Sequence, residues 1–542
     1  MKLDRREVCF RIRCTAASAA FVVLVLFSIW AAAKDVTATI QIAQFPFFLD
    51  PAKISTYEEK LICGAVYESL LAYDPDNGSS KSALAEKWKV NEAGTVYTFT
   101  LRKNTPFHNG KPVSAEDVKF SWERLIDPET SSYGYLLNNV QGVEGVLKGQ
   151  SGHVEGLRIV DAHTLQVTLL EPDYTFPALV SSPALGIVCQ DFVQKQGKAY
   201  GKPGTGIIGT GPFCLSSWNK NRLTLINNRR YDRKAPYLGK LEFVATRDQQ
   251  EIKRLFQDGE VDILAGVTPQ FANSYCKGDG KERAYLVKKP VLSLYFLGFN
   301  LEKRPFGDQV ELRRGVNSML DKEKMASFLL GEGGKVLNGF LPSELLGDGD
   351  QSRRYVFDKN NALKLLASAG NPYGSRLPPL VLAYNDSTGH ELLVRLVQEN
   401  LGQVGLAIVP QKRPWGEYQE ELMSGQYPFF RLGWDADYPE PGNILLSNFK
   451  SGKLDKLDYN FTRYNNEKLD LLLIKARGEQ DFRKRQEFYR QAEELIITDL
   501  PVIPLFQRVA VFVVQKGIKG FHVDMLGRID FIDLTKPPRG SK

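Results

Sequence analysis

The chain has 542 residues, too many for one hydrophobic core, so two or three lobes are expected. Its composition is that of a globular protein, 43% apolar and 25% charged, with a formal charge of +7. Of that charge, +3 lies in the first 33 residues and the rest is diffuse, which excludes the dense basic stripe that nucleic acid requires.

The first segment reads as an export leader. Basic residues end at Arg13, and Thr15 to Ala33 carries no charge, with "FVVLVLF" at its centre and "AAA" before Lys34. The small residues favour cleavage after Ala33 over retention as a membrane anchor. No cysteine follows the apolar run until Cys63, which argues against lipid attachment there. Export places the mature chain in an oxidising space. Cys63, Cys189, Cys214 and Cys276 remain, with no C-x-x-C among them, so disulfides and buried free thiols both stay open.

"VTATIQIAQF" then alternates like a strand, and "EEKLICGAVYESLLAYD" has apolar residues at helical spacing. "GTVYTFTLRKNTPFHNGKPV" reads as a strand, a turn at Asn109-Gly110 and a short extended piece. "SAEDVKFSWERLI" opens with Ser114 and Asp117, a capping-box start to a helix. "GLRIVDAHTLQVTLLEP" is a hairpin, and "GPFCLSSW" with "RLTLINN" is another strand pair. From Val310 onward the pattern becomes strand–helix–strand. Amphipathic helices are expected in "VELRRGVNSMLDKEKMASFLLG", "FDKNNALKLLASAG" and "HELLVRLVQENLGQVG", with strands in "LPPLVLAYN" and "LAIVPQK". "NNEKLDLLLIKARGEQDFRKRQEFYRQAEELIITDLP" predicts a helical pair, and "PVIPLFQRVAVFVV" returns to strand.

Several catalytic motifs fail on context. "GTGIIG" at Gly204–Gly209 matches a dinucleotide fingerprint but is followed by a strand rather than a helix, so it reads as a turn-rich linker. "HELLV" at His390 has Val394 where a zinc peptidase needs its second histidine. Neither a G-x-S-x-G elbow nor a phosphate-binding P-loop is present. No catalytic residue, metal ligand or cofactor site is assigned.

"FFRLGWDADYPEPGN", Phe429–Asn443, is too charged for a core strand and too aromatic for a surface loop. It belongs to a longer series: "LDPAKI", "AVYESLLAYD", "LAEKWKVNEAGTVYTFTLRKNTPFHNGKPVSAEDVKFSWERLIDP", "GTGPF", "NNRRYDRKAPYLGKLEF", "FLGFNLEKRPFGDQVELRRGVNSMLDKEKM", "FDKNNALKLLASAG", "GWDADYPEP" and "PVIPLF". In this order the series resembles the extracellular solute-binding protein family 5, the peptide- and nickel-binding receptors of ABC importers, over about residues 40–525.

The resemblance implies an α/β, type II periplasmic binding protein fold with ligand enclosed between lobes I and III. Lobe I would comprise residues 34–70, 207–292 and 500–542, lobe II would be the insert 71–206, and lobe III would span 293–499. It implies a periplasmic monomer that binds short peptides without chemistry. The peptides would pass to an inner-membrane permease with cytoplasmic ATPases.

In peptide-binding members the carboxylate matching Asp437 holds the ligand's α-ammonium. Charge-assisted hydrogen bonds suit that task in a dry cleft. Trp434, Gly433, Asp435, Ala436 and Tyr438 would line the extended ligand, and Ser55 would face the cleft. Arg431 matches an arginine at the ligand's carboxyl end, and His390 a histidine of similar role. Lysine in dipeptide binders is replaced near Leu330, which favours peptides of about three to five residues.

Each site residue has a plainer structural counterpart. Asp437 would cap the turn before Pro439, Arg431 would pair with Glu440 or Asp435, His390 would begin a helix, and Trp434 and Tyr438 would be core. Other ligands also stay open: a peptidoglycan-derived peptide, glutathione or a nickel chelate. An exported peptidase on the same scaffold is the alternative outside binding proteins.

Overall fold

The computed structural model describes residues 36–331, 334–337, 339–346, 356–452 and 459–537. The expected leader lies outside them. The first strand, β1 (Thr37–Ile42), is buried on both faces because other strands and helices cover it. Helix α1 (Tyr57–Val66) starts with a capping box: the Thr56 hydroxyl accepts from the Glu59 amide, and the Glu59 carboxylate accepts from the Thr56 amide. Fully buried Glu59 also accepts from the amides of Phe47, Phe48 and Ser55, which binds the preceding loop to the helix.

The next strands stand apart. β2 (Leu71–Tyr73) and β3 (Ser80–Ser82) form a ribbon. β4 (Ala85–Val90), β5 (Val96–Leu101), β6 (Leu157–Asp161) and β7 (Thr164–Thr168) form an antiparallel sheet in the order β4-β5-β7-β6. Alternation in β5 and β7 turns Tyr97, Phe99, Leu101, Leu165 and Val167 to one face. Helix α2 (Ala115–Ile126), with the predicted Ser114/Asp117 box, adds Val118, Trp122 and Leu125 to that core. One ion pair joins this unit to the loop before α1. Arg124 of α2 donates from both Nη atoms to fully buried Asp50, at 3.1 and 2.6 Å, and its guanidinium lies over the Tyr200 ring.

All other strands join β1 in one sheet. They are β8 (Phe213–Trp218), β9 (Leu223–Asn227), β10 (Lys240–Ala245), β11 (Ile263–Leu264), β12 (Ala284–Phe299), β13 (Lys335–Val336), β14 (Leu380–Asn385), β15 (Ile408–Arg413), β16 (Phe429–Asp435) and β17 (Val502–Gln515). The order is β15-β14-β16-β12-β17-β11-β1-β10-β9-β8, with β13 against β17. β12 and β17 serve both halves of this sheet. Residues 284–290 of β12 pair with 509–515, and 294–298 pair with 502–507 after a register shift between Pro290 and Leu294. Pro290 has no amide hydrogen to continue the ladder, so the break falls where the sequence places it.

The expected long helix after Val310 is two, α3 (Val310–Met319) and α4 (Lys322–Leu330). It divides at Leu320, where Asp321 caps the second helix by accepting from the Lys324 amide. Helix α5 (Thr388–Gly402) crosses from β14 to the parallel strand β15, as the strand–helix–strand pattern predicts. The helices α6 (Trp415–Met423), α7 (Pro441–Phe449), α8 (Glu467–Arg477) and α9 (Phe482–Asp499) complete this half. Cys63, Cys189, Cys214 and Cys276 are all free thiols. Among the described residues, no helix is long and apolar enough to cross a membrane.

Candidate functional site

β16 runs antiparallel to β12, pairing Arg431 with Leu297, Gly433 with Tyr295, Trp434 with Leu294 and Asp435 with Ser293. A side chain on Gly433 would sit 2.7 Å from the Leu294 carbonyl oxygen, so glycine permits the close approach of the two strands. The chain then turns, and α7 begins with Pro441 in its first turn. Asn443 of α7 holds the turn: its Oδ1 accepts from the Asp437 amide at 2.9 Å and from Trp434 Nε1 at 3.4 Å.

Asp437 is 7% exposed, and its Oδ2 accepts a short hydrogen bond from the Tyr135 hydroxyl. Burial raises its pKa above the ordinary carboxylate range, while Lys60 and the Tyr135 hydroxyl pull the other way. Trp434 packs edge-on against Tyr135 and Tyr459, with ring centroids at 6.1 and 5.4 Å. Ala436 is buried beside Asp437, and its amide donates to the Leu292 carbonyl at 2.8 Å.

Arg431 is 5% exposed and, among the described residues, forms no ion pair with a carboxylate within 4 Å. It donates to Asn385 Oδ1 at 3.2 Å and lies over the Tyr295 ring at 4.6 Å, while its Nε has no hydrogen-bond partner. Burial lowers its pKa. Glu440, an expected partner, instead faces Arg485 at 3.3 Å.

His390 is the third residue of α5, beside Tyr295 and 3.2 Å from the Asn385 carbonyl through Nδ1. Burial, and then the Arg431 charge, lower its pKa to about 4, so the ring is neutral at pH 7. A carbonyl only accepts, so Nδ1 carries the proton and Nε2 presents a lone pair.

Asp435 is open to the cavity. Desolvation pushes its carboxyl up, but Arg508, Lys60, a hydrogen bond from Ser293 and Arg431 outweigh it and hold the pKa at about 2. A cavity of about 270 Å³ is lined by Tyr295, Trp415, Arg431, Gly433, Asp435 and Arg508. Asp437 and Ala436 line a tighter pocket with Lys60 and Tyr133.

A larger cavity of about 320 Å³ lies elsewhere, against α1 and β2. There Arg233 meets Glu68, and Asp524 accepts from Arg528 and Tyr73 at 2.8 and 2.7 Å. Two charge pairs there are matched internally, whereas in the smaller cavity the Nε atoms of Arg431 and Arg508 are buried without a hydrogen-bond partner. Those unpartnered guanidinium atoms, more than volume, make the smaller cavity the candidate place for a polar ligand.

The expected site residues therefore divide. Arg431, Gly433, Trp434 and Asp435 share one cavity, and Asp437 and Ala436 the adjoining pocket. His390 contacts Tyr295 on that wall. Tyr438 packs into the core of the four-stranded unit. Ser55 is exposed, and its hydroxyl donates to Glu59 at 2.9 Å, a loop-fixing bond. Tyr135, Tyr459, Lys60, Asn443 and Arg508 were not singled out by the sequence. Asn443 closes the stretch Phe429–Asn443 itself, whereas the other four come from distant segments that only the folded chain brings together.

The sequence pattern of the bacterial extracellular solute-binding proteins, family 5, matches residues 80–456. The chain belongs to this family. As a family 5 solute-binding protein it has the type II periplasmic binding protein fold. The periplasmic murein peptide-binding protein MppA of Escherichia coli is 28% identical over 497 residues, 88% of this chain and 89% of that one. The oligopeptide-binding protein OppA of Bacillus subtilis is 27% identical, covering 91% and 92%. The crystal structure of a periplasmic oligopeptide-binding protein of Borrelia burgdorferi superposes with a TM-score of 0.76 at 25% identity, covering 93% and 100%. These relatives are named for the peptides they bind.

Proposed function

We propose that this protein captures short oligopeptides, about three to five residues long, and delivers them to an ABC-type permease without altering them. The carrying observation is Asp437: a buried carboxylate at the end of an aromatic-lined cleft, held by Tyr135 and Asn443. A peptide α-ammonium brings three donors and a positive charge to that carboxylate. Pairing of β16 with β14 ends at Phe430, so residues 431–435 keep one side along which a ligand backbone lies, and Gly433 keeps that surface low. Arg431 takes the terminal carboxylate of peptides long enough to reach it, since its Nε is free and guanidinium suits a carboxylate. His390 joins that contact only when protonated, because neutral Nε2 offers no hydrogen.

The residues of lobes I and III, divided as the sequence suggests, close over the ligand about β12 and β17, and the closed form is what the permease reads. The mature chain is periplasmic in this reading, released from its leader, and works as a monomer.

A peptidoglycan-derived peptide is the second reading, favoured by the murein peptide-binding relative. Native mass spectrometry of the purified protein separates the two. A ladder of released masses matching peptides of three to five residues supports the oligopeptide receptor. A single mass of a cell-wall fragment supports the second reading, and a single non-peptide mass defeats both.

A further inference from the structure

Arg508 is not explained by the anchoring of a simple peptide. It lies on β17 where the pairing with β12 breaks, between Val509 opposite Pro290 and Gln507 opposite Leu294. Ser293, in the same break, faces Asp435 across the β12–β16 pair. The arginine thus enters the cavity of about 270 Å³ through a gap in the sheet. Its Nε is buried without a hydrogen-bond partner. Its charge is felt by Asp435, which Arg508 and three other groups hold ionised.

The charges along this wall do not balance. Arg431, Arg508 and Lys60 face Asp435 and Asp437. Arg528 also borders the Asp437 pocket but is bound to Asp524 at 2.8 Å. His390 is neutral at pH 7. A peptide with one ammonium and one carboxylate is itself neutral, so binding it leaves one cation in excess in a cleft from which water has been displaced. Leaving a guanidinium desolvated and unmatched is costly. One further carboxylate on the ligand restores balance and supplies the acceptor that Arg508 Nε lacks.

We propose that Arg508 is a specificity-determining residue that selects peptides carrying an additional carboxylate, from an acidic side chain close to the amino end. The preference rests on the peptide-receptor reading and refines it. The register points to the amino end because Asp435, which Arg508 faces, is two residues from Asp437. The acid-bearing segment lies over the break in β12, where Ser293 and Arg508 both reach the cavity.

The test is calorimetric titration of the intact protein, stripped of bound ligand, with six free-amino tripeptides. Glu or Gln is placed at the first, second or third position and the rest is Ala. Each Glu/Gln pair has the same length and termini and differs only in the side-chain carboxylate. In at least one of the first two positions, the Glu peptide binds on the order of tenfold more tightly than its Gln partner. Arg508→Gln abolishes that preference, so that each Glu peptide and its Gln partner bind equally, and Arg508→Lys, which keeps the charge, retains part of it.

Tight binding of all six peptides with no preference for Glu overturns the role of Arg508 and leaves the peptide receptor standing. An undiminished preference in Arg508→Gln does the same. Failure of every peptide to bind removes the receptor reading and this refinement together. The Glu-to-Gln comparison on the unmutated protein decides the selectivity even if a variant does not fold.

Discussion

Two inward-facing guanidiniums in this molecule have opposite fates. Arg124, partly buried, is matched within the chain, giving two hydrogen bonds to fully buried Asp50 and a ring face at Tyr200. Arg431 is more deeply buried, yet it has one amide oxygen, an aromatic face and an unbonded Nε. The first arrangement is complete without a ligand and joins α2 to the loop before α1. The second, in the proposed receptor, would be completed by the ligand's carboxylate. A buried charge with its partner in the sequence reads as scaffold, and one without it as a candidate ligand contact.

The contrast can be broken by mutation. Arg124→Ala has the largest expected effect: Asp50 is left buried and unmatched, at a cost of about 3–5 kcal/mol in folding stability. Denaturant unfolding measures it, and a loss below about 1 kcal/mol would show that water reaches Asp50. Asp437→Asn should instead cost on the order of 2–5 kcal/mol in affinity for free-amino peptides, with little change in unfolding midpoint. Unchanged affinity would remove Asp437 from the anchor role. Arg431→Ala should weaken binding by about 1.5–3 kcal/mol, and only for peptides whose carboxylate reaches it. An equal loss at every length would place Arg431 with Arg124 as scaffold. Tyr135→Phe deletes one hydrogen bond to Asp437 and should cost about 1 kcal/mol in affinity, read by titration of the same peptide.

The smallest effect concerns pH. The His390 pKa is lowered in the folded chain to about 4, from an ordinary value of 6.5. Between these values the unfolded chain binds more protons than the folded one, so stability contributed by this group falls as pH drops from about 6.5 towards 4. His390→Gln should flatten that part of the stability–pH curve, and an unaltered curve would assign the acid sensitivity elsewhere.

Local chemistry was legible in the sequence. Ser114 and Asp117 form the expected box, "GLRIVDAHTLQVTLLEP" folds as β6 and β7, and the strand–helix–strand pattern near Leu380 becomes β14, α5 and β15. Each depends on residues a few positions apart. The helix division at Leu320 was missed because the apolar period continues across it, while Asp321 starts a new cap. The site was legible in part. "RLGWDAD" is contiguous, so Arg431, Trp434, Asp435 and Ala436 arrive together. Tyr135 sits in a one-turn helix about 300 residues before Asp437, and no spacing rule links them. Tyr438 shows the converse: adjacency in sequence to Asp437 did not stop it from joining a separate core.

The two long strands β12 and β17 have a mechanical meaning beyond connection. A crossing built from two paired strands can flex at its break, but it cannot slide without surrendering the hydrogen bonds on either side. In the proposed receptor, motion between the halves of the sheet would reduce to rotation about a short axis near Pro290–Leu294, within the same strands that carry the cavity wall. A peptide seated there would act near the pivot, like a shim in a hinge. Small differences in its bulk or charge would become angular differences at the far edges of the molecule, where a permease would read them.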